Sequence, residues 1–152
     1  MEIIRENGEI KVKSAYNKEF IGKAHQLNGK WSKPYWVFKE ETASALNEAL
    51  VSIYGEGLEE VTHVTVEIDL DEYEAAQRGR VQDIIIGGVA IAHRYSRDGR
   101  VALVDGAWVK AGSFKAYGGS FKYPAVTWDA GTILVATVPE TVAAGAGVKV
   151  VG

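Results

Sequence analysis

The sequence has no cysteine. That excludes disulfides, thiolate nucleophiles and thiolate zinc sites together, and it fits a reducing compartment. No apolar run approaches the length of a membrane span, and the opening residues MEIIRENGE lack the basic-then-apolar layout of a signal peptide. The chain therefore reads as cytoplasmic, with no membrane partner. A G-x-x-x-x-G-K-S/T loop for nucleotide phosphates and a G-x-S-x-G elbow for a serine nucleophile are both missing. Between Lys11 and Lys39 there is no arginine, so that stretch lacks the side chain best suited to bidentate reading of guanine.

What is present starts with length. The 152 residues suit one domain, or a small module fused to another, and are enough for a hydrophobic core without staples. The net charge of −3 hides a partition. Residues 1 to 55 hold eight basic and seven acidic side chains, residues 56 to 76 none and eight, and residues 77 to 152 nine and five. An acidic belt thus separates two mildly basic parts. Within the first, Lys11 to Lys39 carries seven lysines against Glu19 alone.

Residues 9 to 54 hold the densest pattern. Ile3 and Ile4, then Ile10 and Val12, flank Asn7-Gly8, the favoured pair of a tight hairpin. Ile10 and Val12 alternate with Lys11 and Lys13, so a strand here buries one aliphatic row and wets two lysines. Asn17 stands at an N-cap position, and Phe20, Ile21, Ala24 and Leu27 follow at helical spacing until Asn28-Gly29 stops the helix. KWSKPYWVFK predicts a second hairpin turning at Ser32 to Pro34, with Trp36 and Phe38 on one face and Tyr35 and Val37 on the other. A second helix starts near Glu40 to Thr42, carries the stripe Ala43, Leu46, Ala49, Leu50, Ile53 and Tyr54, and ends at Gly55.

This order of elements resembles the HARP domain, the small module attached to annealing helicases and to various mobile-element proteins. The resemblance rests on Ile10 and Val12, Tyr16-Asn17, Ile21, Gly29-Lys30-Trp31 and the triplet Trp36-Val37-Phe38. It covers about a third of the chain, and its most specific part is the pair of tryptophans flanking a short turn. It implies transactions with nucleic acid, in the setting of a phage or plasmid.

After Gly55 the segment GEGLEE is a polar connector. We therefore expect two units, a HARP-like α/β module over residues 1–55 and an antiparallel β domain over 61–152, an α+β chain overall. From Val61 the period becomes two: Val64, Val66, Ile68 and Leu70 alternate with Thr65, Glu67 and Asp69, a strand with one acidic wet face expected at a sheet edge. Asp71 to Gly79 reads as a short helical turn or loop. Beyond Arg80, short strands alternate with Arg97-Asp98-Gly99, Asp105-Gly106, Gly118-Gly119 and Asp129-Ala130-Gly131, which suggests a barrel or sandwich of about five or six strands. KYPAVTW is taken as one of those strands and Gly87-Gly88 as a bulge, sharp bend or turn. The tail VAAGAGVKVVG is an edge strand or loose.

Among candidate sites the lysines come first. Phosphate neutralisation needs flexible cations on one face and base stacking needs exposed rings, and Lys11, Lys13, Lys23, Lys30, Lys33 and Lys39 with Tyr35 offer both; a solvated face is the alternative. Trp31, Trp36 and Phe38 are expected to fill the core of so small a module. Glu67, Asp69, Asp71, Glu72 and Glu74 form an acidic surface suited to protein contact or phosphate mimicry. No lysine follows them in the arrangement of a restriction-type nuclease. His25, His63 and His93 lie on different elements without metal-ligand spacing, and the His93-Arg94-Tyr95 string lacks a partner that would make it a catalytic site. No catalytic residue, metal site or cofactor is expected. The leading expectation is a non-enzymatic protein that binds single-stranded or forked DNA weakly and without sequence preference. The other is an inhibitor that binds a host nuclease or CRISPR-type defence complex by protein contact.

Overall fold

A computed structural model describes all 152 residues, which divide into two compact units, Met1–Val61 and Thr62–Gly152. In unit 1 the strands β1 (Glu2–Glu6), β2 (Glu9–Lys13), β3 (Lys30–Ser32) and β4 (Tyr35–Lys39) form one antiparallel sheet in the order β1-β2-β4-β3. Helix α1 (Lys18–Gln26) separates the two hairpins. Helix α2 (Ala43–Tyr54) follows a 3-10 turn at Glu40–Thr42.

Strand alternation decides the two faces of this sheet. Ile10 and Val12 are fully buried, and across the ladder they oppose Phe38 and Trp36. Both helices cover that face. The Phe20 ring of α1 lies 6.4 Å from Phe38 and 5.6 Å from Tyr54 of α2, while Leu46 and Leu50 are buried alongside. Each such apolar side chain contributes about 1.5–3 kcal/mol by leaving water. The caps agree with the sequence: the Asn17 side chain accepts from the Phe20 amide, Asn28 takes the left-handed conformation at φ 58°, and Gly55 ends α2 at φ 78°. Phe38 joins the core as expected. Trp36 is only half-buried, and Trp31 stays outside the core, on a three-residue edge strand exposed throughout.

Unit 2 begins with β5 (His63–Asp69) and α3 (Leu70–Ala75). Its remaining strands are β6 (Ile84–Ile86), β7 (Val89–Arg94), β8 (Val101–Leu103), β9 (Trp108–Ala111), β10 (Ile133–Pro139) and β11 (Val148–Val150). They form two antiparallel sheets, ordered β11-β5-β10-β9 and β6-β7-β8. Val66, Ile68, Ile84, Ile91, Leu134 and Ala136 pack into a shared core. The chain is thus α+β with three antiparallel sheets, and no sheet closes into a barrel.

Two local readings are corrected and two open alternatives are decided. Gly87 and Gly88, at φ 56° and 72°, are the turn of the β6–β7 hairpin, because Ile86 pairs with Val89. The tail is an edge strand, with Val148 opposite Ile68. That pairing makes β5 an interior strand, so its acidic residues do not sit at a sheet edge. KYPAVTW is not a strand. It belongs to a long loop between β9 and β10 whose ladder is reduced to the bridges Phe114–Trp128 and Gly119–Pro124, and proline has no N–H with which to extend it.

Candidate nucleic-acid interface

The open face of the unit 1 sheet carries Lys11, Lys13, Lys30, Lys39 and Tyr35, all out of phase with the buried row. Lys11 and Lys30 lie in one row on either side of Val37. Lys33 occupies the β3–β4 turn at the margin of that face, beside a cis Lys33-Pro34 bond. Lys23 is separate, being on α1 and so on the far side of the sheet.

Acids temper this face. Lys11 Nζ is 3.5 Å from a Glu6 carboxylate oxygen, and Lys13 stands opposite Glu2. The Tyr35 hydroxyl donates to Glu2 at 3.0 Å, and the bond to that carboxylate raises the Tyr35 pKa. Tyr35 is therefore tethered across the sheet at its hydroxyl end.

The free rings lie elsewhere. Trp31 and Trp36 are directly paired across β3 and β4, centroids 5.6 Å apart, and His25 meets Trp36 edge-on at 5.2 Å. With Tyr16 and Ile21 they border a mostly apolar groove of about 470 Å³ between α1 and the β3–β4 hairpin. Trp31 is 57% exposed and Tyr16 78%. Behind the groove the chain is held firmly: the Tyr54 hydroxyl donates to the Ala15 carbonyl at 2.7 Å and accepts from the Ser14 hydroxyl at 3.3 Å. Burial raises the Tyr54 pKa, against the smaller opposing effect of the Ser14 bond, which keeps that donor in place at neutral pH.

Sequence reading missed this groove. The sequence places Trp31 in the core and gives His25 a structural or surface role, because the groove forms only where α1 and the β3–β4 hairpin meet.

Of the candidate acids Glu67, Asp69, Asp71, Glu72 and Glu74, the first three are engaged within unit 2. Glu67 accepts from Lys110 Nζ at 2.8 Å, and Asp69 caps α3 by accepting from the Asp71 and Glu72 amides. Asp71 accepts from the Gly131 amide at 2.7 Å and the Trp128 indole N–H at 2.9 Å. Those two donors hold its carboxyl below the usual aspartate range, the Gly131 bond most. Glu72 and Glu74 are exposed.

The His93-Arg94-Tyr95 string is held by contacts within unit 2. His93 Nδ1 lies 2.8 Å from Asp83 Oδ1, and Arg94 is buried with hydrogen bonds to several carbonyls. No family model, curated protein or solved structure matches the chain.

Proposed function

We propose that unit 1 is a non-enzymatic nucleic-acid-binding module that holds single-stranded or forked DNA along the β3 edge. The observation that carries the reading is the paired Trp31 and Trp36 rings beside Tyr16 in an apolar groove, with Trp31 on the same edge strand as Lys30, whose side chain takes the opposite face, and Lys33 in the adjoining turn. Bases stack on exposed aromatic faces at about 1–3 kcal/mol each whatever their identity, and flexible lysines neutralise phosphates without selecting a base. The missing arginine fits weak binding without sequence preference. The reading also accords with what the HARP resemblance implies.

The test is fluorescence anisotropy with single-stranded, forked and duplex DNA at several salt concentrations. It compares wild type, Trp31→Ala and a variant with Lys11, Lys13, Lys30 and Lys33 changed to Gln. Four phosphate contacts on a single strand give a slope of log affinity against log salt near about −3. The lysine variant flattens that slope, and Trp31→Ala weakens binding while leaving the slope unchanged. No binding at low salt, or binding indifferent to both variants, removes the reading and favours a protein partner.

A further inference from the structure

The loop between β9 and β10 is built as a rigid display. Arg94 on β7 is 1% exposed, and its guanidinium donates to the carbonyls of Ala125 at 2.8 Å, Lys115 at 2.7 Å, Ala116 at 3.3 Å and Gly99. One side chain thus ties two parts of the loop to the turn at 96–99. Further bonds close the loop on itself: the Gly118 amide donates to the Arg97 carbonyl at 3.0 Å, the Ala125 amide to Gly118 at 3.1 Å and the Thr127 hydroxyl to Tyr117 at 2.7 Å. The backbone passes so closely at Gly119 that a Cβ there would lie 2.2 Å from the Tyr123 carbonyl.

What this scaffold presents is unusual for a surface. Tyr117, Phe121 and Tyr123 are 64%, 80% and 60% exposed within seven residues. Cations accompany them: the Arg97 guanidinium lies 5.1 Å from the centre of the Phe121 ring, Lys122 Nζ lies 5.5 Å from that of Tyr123, and Lys115 is exposed on the same loop. Ordering rings in water gains little by itself, and clustered exposed apolar surface marks a contact site.

We infer that the Tyr117–Tyr123 hairpin is a second contact for single-stranded nucleic acid, its rings stacking on bases while Arg97, Lys115 and Lys122 face phosphates. Local charge favours a polyanion, because residues 113 to 127 hold Lys115 and Lys122 and no acid, with Arg97, itself 3.8 Å from Asp98, alongside. Every large apolar side chain from Lys115 to Tyr123 is an aromatic ring, with no Leu, Ile, Val or Met among them, so the surface offers planar faces on which bases stack. Preorganisation by Arg94 lowers the ordering cost of binding. The contact lies wholly in unit 2 and does not depend on the β3-edge reading.

The experiment is photocrosslinking of the full chain to a short oligodeoxythymidylate carrying 5-iodouracil, with adducts mapped by mass spectrometry. Wild type, Trp31→Ala and the double variant Phe121→Ala/Tyr123→Ala are compared, and near-ultraviolet circular dichroism establishes that each is folded. Adducts within residues 115–123 are expected in wild type and in Trp31→Ala. The double variant should lose them and bind the oligonucleotide at least about fivefold more weakly. Adducts confined to unit 1, or unchanged affinity in the folded double variant, overturn the inference while leaving the β3-edge reading intact. Adducts confined to 115–123 do the reverse. Co-sedimentation with phosphatidylserine vesicles and no crosslink to the oligonucleotide would also overturn it and assign the loop to a lipid surface.

Discussion

Trp31 and Trp36 oppose each other on neighbouring strands, yet only Trp36 has a second neighbour on the helix side, His25 at 5.2 Å. Phe38, two residues further along β4, is almost wholly buried. The three rings therefore form a series in stability. Phe38→Ala should cost unit 1 about 3–5 kcal/mol, as for a fully buried aromatic. Trp31→Ala should cost only about 1 kcal/mol, the worth of an aromatic pair, and Trp36→Ala an intermediate amount. Urea denaturation of the three variants gives the ranking, and equal losses for Trp31 and Phe38 would contradict it.

The connector between the units is not uniformly loose. The Asn47 side chain accepts from the Leu58 amide at 2.8 Å, and Gly57 packs so closely on Asn47 that a Cβ would lie 2.2 Å from its oxygen. Glu59 and Glu60 are exposed. A glutamate-specific protease should cut first after Glu59 or Glu60 and release two folded fragments. Early cutting after Glu56, or protection of the whole segment, would count against this.

Arg94→Lys should destabilise unit 2 by about 3 kcal/mol or more. An ammonium cannot span the four carbonyls a guanidinium reaches, and each buried acceptor left without a donor costs about 1–3 kcal/mol. Chemical denaturation measures the loss, and hydrogen exchange at the Gly118 and Ala125 amides locates it. Stability within 1 kcal/mol of wild type, by that about 1–3 kcal/mol scale, would be the contrary result.

Asp71 gives unit 2 an acid-sensitive contact. Its pKa is lowered in the folded protein, so the stabilisation is fully present above the unfolded value of about 3.9. It is lost as pH falls below that value through the folded one. Asp71→Asn should lower the melting temperature at neutral pH, with the gap to wild type narrowing under acid conditions. A gap that stays constant down to pH values well below about 3.9 would show that the carboxylate charge is not involved.

Much of the architecture was legible because its signals are local. The alternation at Ile10 and Val12, the Asn17 cap and the Gly55 stop each act within a few residues, and each lies where the pattern puts it. The losses came where distant residues decide. Whether Trp31 is covered depends on how far α1 reaches. That β5 is interior depends on β11, some eighty residues later. KYPAVTW has strand-like composition, but its Ala125 carbonyl is claimed by Arg94 and its pairing is reduced to isolated bridges at Pro124 and Trp128. The lysine row was readable from strand phase, whereas the groove of Tyr16, His25 and Trp31 needed two elements brought together across the turn.

Arg94 grips the β9–β10 loop through main-chain carbonyls, not through side chains. The shape of the loop is therefore indifferent to what Tyr117, Phe121, Lys122 and Tyr123 happen to be. Under the proposed nucleic-acid contact, substitution at those positions alters what the surface meets without loosening the frame that presents it, and that frame belongs to β7 and the 96–99 turn, so the hairpin keeps its shape only within this fold.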